Sequence, residues 1–135
     1  MEMEFTALAE RMTASTDSIY SICILNKDGS LLHWLDRNGY SMKRLPRGFF
    51  KQVAIEAEMY RVLSDDYGDV RFTYIERARA KQLIVFGRSS MMVVSLEPSI
   101  ETSKALQIVD EVVKVIKTVA VRTSSNDDRQ HTDGL

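Results

Sequence analysis

The side chains able to do covalent or metal chemistry are few: one cysteine, two histidines and a short acidic run. Cys23 stands in the apolar run Ile22-Cys23-Ile24-Leu25, and His33 stands beside Trp34 in the next apolar run. A Cys–His pair is the most reactive arrangement these residues allow, because an imidazole can take the thiol proton and leave a nucleophilic thiolate. No third orienting group accompanies them. A thiol inside an apolar strand reads as a small core residue, with a Cys23–His33 enzyme as the weaker alternative. His131 lies in the polar stretch RTSSNDDRQHTDGL. No Cys/His set has metal-ligand spacing. Asp65, Asp66 and Asp69 lack the spaced oxygens and closing Glu of a calcium loop, and read as a turn that ends a helix. Gly29, Gly39, Gly48, Gly68 and Gly87 are isolated, so no glycine-rich loop cradles a phosphate. The expectation is a protein without catalytic residues, cofactor or metal.

The charges balance: 18 Lys and Arg against 19 Asp and Glu. No global field draws the chain to nucleic acid or anionic lipid. Basic residues cluster at Lys43, Arg44, Arg47 and Lys51, and again at Arg77, Arg79 and Lys81. The second cluster has no interleaved aromatics to stack bases. It reads as a solvated loop or the rim of a protein interface. A single cysteine forms no internal disulfide, which fits a reducing compartment. No run approaches the ~18 apolar residues of a membrane span. The start, MEMEFTALAERM, has no basic-then-apolar secretory pattern. A cytoplasmic protein is expected.

A chain of 135 residues suits one domain, here 1–122, followed by a polar tail, 123–135, read as disordered. Phe5, Leu8, Ala9 and Met12 predict a helix over 4–14. β-rich residues predict a strand over 19–25, a turn at Asn26–Gly29 and a second strand from Ser30 to about Asp36. A helix is predicted over 46–64, opening at Pro46 and stopped by the acidic run. A half-exposed strand follows over 70–76. Glu76–Lys81 contains no turn residue and, taken alone, reads as helical. Leu83–Phe86, the turn Gly87–Ser90 and Met91–Leu96 make a hairpin. Ser99 caps a last helix running to about Val121. The order α-β-β-α-β-β-β-α predicts an α+β fold: a five-stranded antiparallel sheet flanked by helices.

Two features hold more apolar surface than one covered sheet face requires. Alternation puts Leu31, His33 and Leu35 on one side of the second strand, with Leu32 and Trp34 on the other. Helix 46–64 has a wide apolar arc. Such excess points to a partner, the alternative being that the short N-terminal helix and the C-terminal helix already cover the second face.

The element order and the hairpin ICILNKDGSLLHW resemble the Roadblock/LC7 family. So does FTYIERARAKQLIVFGRSSMMVVSLEPSIETSKALQIVDEVVKVI, which is similar to the family's last three strands and final helix. DDYGDVRFTYIERARAKQLIVF looks nearest to uncharacterised archaeal roadblock-like proteins. Longin and profilin-like folds share these layers. The resemblance implies a non-catalytic domain that dimerises by joining sheet edges and pairing central helices. It also implies a scaffolding or regulatory role with a small GTPase or a larger assembly. The partner would be a second copy or a paralogous chain. Phe49, Phe50, Val53 and Met59 are the expected dimer surface. A second reading is a small-molecule sensor with a pocket near His33, Trp34 and Tyr74.

Overall fold

The structure, a computed structural model, describes residues 2–37 and 48–114. Its elements are α1 (Glu2–Ser15), β1 (Ile19–Asn26), β2 (Leu31–Asp36), α2 (Phe49–Arg61), the one-turn α3 (Ser64–Tyr67), β3 (Phe72–Glu76), β4 (Lys81–Phe86) and β5 (Ser90–Leu96). A last helix, α4, is described over residues 102–114. Lys43, Arg44, Pro46 and Arg47, the predicted helix beyond 114 and the tail 123–135 lie outside the described residues.

The five strands form one sheet in the order β2-β1-β5-β4-β3. Every neighbouring pair is antiparallel. The first and fifth strands therefore meet in the centre. The pleat sorts their side chains. Ile22, Ile24, Met92 and Val94 pack with Ala9 and Met12 of α1 and with Ala105, Val109 and Val112 of α4. On the other face Cys23, Leu25, Met91 and Val93 pack with Val53 and Ala54 of α2. Covering both faces explains why β1, β4 and β5 read as continuous apolar runs. Each buried Ile, Leu or Met contributes roughly 1.5–3 kcal/mol.

The opening hairpin closes through its own polar atoms. The Asn26 amide donates to the Ser30 carbonyl (2.8 Å), and the Gly29 amide donates to the Asn26 carbonyl (3.0 Å). Asp28 Oδ1 accepts from the Ser30 amide at 2.8 Å. Hydrogen bonding from the Ser30 side chain, then from its backbone, holds the Asp28 carboxyl below the usual carboxylate range. Gly29 has φ +90, and a Cβ there would stand 2.8 Å from the Phe50 carbonyl oxygen. The turn thus seats the first turn of α2, beyond reversing the chain.

The second strand departs from simple alternation. His33 pairs with Ile24 and Leu31 with Leu25, so Leu32 is the extra residue of a β-bulge. Leu32 and Leu35 consequently both pack on the α1/α4 side, while Leu31 packs on the α2 side. Directly after β2, Arg37 ties the sheet to α1. Its guanidinium donates to the Thr13 carbonyl and, at 2.9 Å, to the Thr16 carbonyl. Those contacts answer carbonyls that a helix end leaves open.

Residues 77–80 are a hairpin connection and carry no helix. The Arg77 amide donates to the Ala80 carbonyl at 2.9 Å, and Glu76 stands opposite Lys81 in the ladder. Tertiary pairing overrides the local helical preference. Lys81 Nζ lies 3.6 Å from Glu76 Oε1 and donates to the Ile100 carbonyl at 2.7 Å. The acidic run also behaves differently from a plain stop. The predicted 46–64 helix ends at Arg61, and Asp65 and Asp66 occupy the first turn of α3, where acidic side chains suit the partial positive charge.

Candidate functional site

α2 presents two unlike surfaces. Val53 and Ala54 are buried against the sheet. Phe49 and Phe50 are half-buried, pack on the same cluster and meet edge to face with centroids 5.5 Å apart. The opposite side carries Ile55 and Met59, four positions apart and so one above the other. They are 57% and 64% exposed, and Val62 and Leu63, just past the helix, are 78% and 54% exposed. These four make an apolar strip with no cover among the described residues. Of the residues expected at a dimer surface, Met59 lies on this strip and Val53 lies in the core.

His33, Trp34 and Tyr74 do not converge. Trp34 is on β2 and Tyr74 on β3, the two edges of the sheet. Four strand spacings separate them, about 19 Å. His33 and Trp34 also point to opposite faces. Tyr74 packs on the α1/α4 side, where its hydroxyl is buried without a partner among the described residues. These three residues form no common pocket.

Nor does the ladder build a Cys–His pair. Cys23 stands opposite Trp34, and His33 opposite Ile24, so the pleat directs the thiol and the imidazole to different faces. Burial, and secondarily the nearby Asp36 carboxylate, pushes the Cys23 thiol up to about 12. A thiol so held is a poor nucleophile at neutral pH. Asp65, Asp66 and Asp69 belong to no metal-binding group of His, Cys, Asp or Glu among the described residues.

A cleft of about 720 Å³ opens at the C-terminal end of α2. Four cations line it, each from a different segment: Lys27 after β1, Arg61 ending α2, Arg71 before β3 and Arg88 between β4 and β5. Tyr60 and Phe86 form an aromatic wall, meeting edge to face at 5.6 Å. Asp69 is the acidic residue of the lining. Arg61 pairs with Glu58 at 2.8 Å. Among the described residues no carboxylate pairs with Lys27, Arg71 or Arg88. The backbone beneath these side chains is held: the Phe86 amide donates to the Arg71 carbonyl (2.9 Å), and the Gly87 amide to the Ser90 carbonyl (2.8 Å).

Sequence reading finds charge where it is contiguous, as at Arg77, Arg79 and Lys81. The cleft cations are scattered singly along the chain. The available signal was their placement at strand ends, which becomes a cluster only once strand order is known.

No protein-family model matches the chain, and no curated protein matches it. Solved structures do share its fold. An MglB in a tetrameric arrangement superposes with TM-score 0.66 at 10% identity, covering 87% of this chain and 90% of that one. The Roadblock/LC7 domain from Streptomyces avermitilis gives TM-score 0.59 at 16% identity, covering 92% and 98%. Profilin from Schizosaccharomyces pombe gives 0.62 at 13% identity, covering 85% and 98%. At these identities the likeness is one of fold, and the fold is the roadblock/profilin-like α+β sheet expected from the element order.

Proposed function

We propose that this chain is a non-catalytic dimerising scaffold or regulatory module. It pairs with a second copy or a paralogous roadblock-like chain and acts in the cytoplasm with a small GTPase or within a larger assembly. The observation that supports this reading is the exposed strip Ile55, Met59, Val62 and Leu63. A lone surface Leu or Val needs no explanation, but four adjacent apolar side chains, each more than half exposed, do. β3 lies at an edge of the sheet, and among the described residues one side of its ladder has no neighbouring strand. A helix pair and a sheet edge together offer the area a stable dimer needs, on the order of 1,600 Å² in total.

The roadblock likeness supports the type of role, and the tetrameric arrangement of one MglB shows that this fold can assemble. The archaeal closeness read from DDYGDVRFTYIERARAKQLIVF belongs to the same proposal. The test is sedimentation equilibrium of the unaltered chain beside Ile55→Glu and Met59→Glu. The expected result is a dimer for the first and a folded monomer for both variants. Dimers of equal strength in all three would overturn the placement of the interface.

A further inference from the structure

We infer that the cationic cleft at the end of α2 binds a phosphate-bearing small molecule. This goes beyond the dimer reading and does not depend on it, because the outer strip of α2 contributes none of the cations.

Three observations carry the inference. The first is convergence. Lys27, Arg71 and Arg88 come from three separate turns at one end of the sheet and line one cleft. All three are exposed to solvent, so their charged ends are free to turn toward an anion in the cleft. The acidic residue of the lining, Asp69, balances one of these three charges and leaves an excess of positive charge. Arg61 is already engaged by Glu58 and stands at the last turn of α2, where a cation offsets the exposed carbonyls.

The second is chemistry. Two of the three are guanidinium groups, whose planar forks match the oxygens of phosphate with paired hydrogen bonds. Three donors on separate segments suit a group that presents oxygens in several directions. The third is shape. The cleft holds about 720 Å³, within the roughly 300–1,000 Å³ of small-molecule sites. The Tyr60–Phe86 wall gives it a firm apolar side against which the rest of an ester can lie.

The test is a titration of the full chain with inorganic pyrophosphate, followed residue by residue through backbone amide resonances. The expected result is saturable shifts at Lys27, Arg71 and Arg88. The Arg71→Ala/Arg88→Ala double variant should bind at least about tenfold more weakly, as the loss of charge-assisted hydrogen bonds requires. An Arg77→Ala/Arg79→Ala control should bind as the unaltered chain does. Amide spectra of both variants report whether each is folded, and Lys27→Ala gives an independent single-site check. Cosedimentation with phosphatidylcholine vesicles carrying a phosphoinositide separates the sources. Pelleting that the double variant loses assigns the phosphate to a lipid headgroup, and saturable pyrophosphate binding without pelleting assigns it to a soluble ester. Unsaturating drift across all basic residues, or a double variant within about twofold of the unaltered chain, would overturn the site.

Discussion

Val53 and Ile55 lie on nearly opposite sides of α2. Val53 is 2% exposed and packs on the sheet, whereas Ile55 is 57% exposed and lies outside that packed cluster. Two positions turn a helix by about 200°, so one apolar arc serves two purposes. Val53→Asp should therefore destabilise the domain, on the order of 4 kcal/mol, by burying a charge. Ile55→Asp should leave the thermal midpoint of the isolated domain nearly unchanged and act on association alone. Equal loss of stability in both variants, measured by denaturant unfolding at low protein concentration, would contradict this division.

Gly29 and Gly68 separate two costs that glycine substitutions usually mix. Both have positive φ, +90 and +83, but a Cβ at Gly29 meets the Phe50 carbonyl, while at Gly68 it meets nothing within 4 Å. Gly68→Ala should cost about 1–3 kcal/mol for backbone conformation alone, because φ +83 with ψ 171 is a region that L side chains scarcely enter. Gly29→Ala should cost about 2 kcal/mol or more, because α2 must also move. Urea midpoints of the two variants check the difference.

Cys23 should resist iodoacetamide in the native protein at pH 8 and react once the chain is unfolded. Its folded thiol is raised from 9.0 to about 12. The folded state thus keeps a proton that the unfolded chain releases. This contribution to stability is fully present below pH 9.0 and is lost as the pH rises toward about 12. Cys23→Ala has no thiol to ionise, so its stability should stay flat between pH 9.0 and about 12 where that of the unaltered chain falls.

Arg37→Ala should loosen α1 without unfolding the sheet. The guanidinium bonds to the Thr13 and Thr16 carbonyls would be replaced by water, at a cost of about 1–2 kcal/mol. Hydrogen exchange of α1 amides should accelerate, while β1 and β5 amides stay protected.

Local chemistry made much of this fold legible. Asn26-Lys27-Asp28-Gly29 has the residues a tight hairpin turn demands, and the structure closes it with their own side chains. Gly87–Ser90 between two apolar runs was equally readable. What failed depends on long-range pairing. The turn at residues 77–80 has no Gly or Pro, and Ala80 closes it through a backbone bond that composition does not reveal. The bulge at Leu32 breaks the alternation on which the two faces of β2 were read. The width of the α2 arc was visible, but which side meets the sheet was not, since periodicity has no origin. Hence the apolar arc alone groups Val53 with Met59, whereas the fold buries Val53 and leaves Met59 exposed. The same reason explains Tyr74 and Trp34: two aromatic residues on two strands say nothing of the strands between them.

On the proposed reading, the outer strip of α2 is covered by a second copy of this chain. Light scattering of the full chain over a wide concentration range tests it most directly. The expected mass is that of a dimer, twice 15.4 kDa, persisting on dilution into the low micromolar range. A mass of 15.4 kDa at every concentration would contradict self-pairing and leave the strip to a different chain.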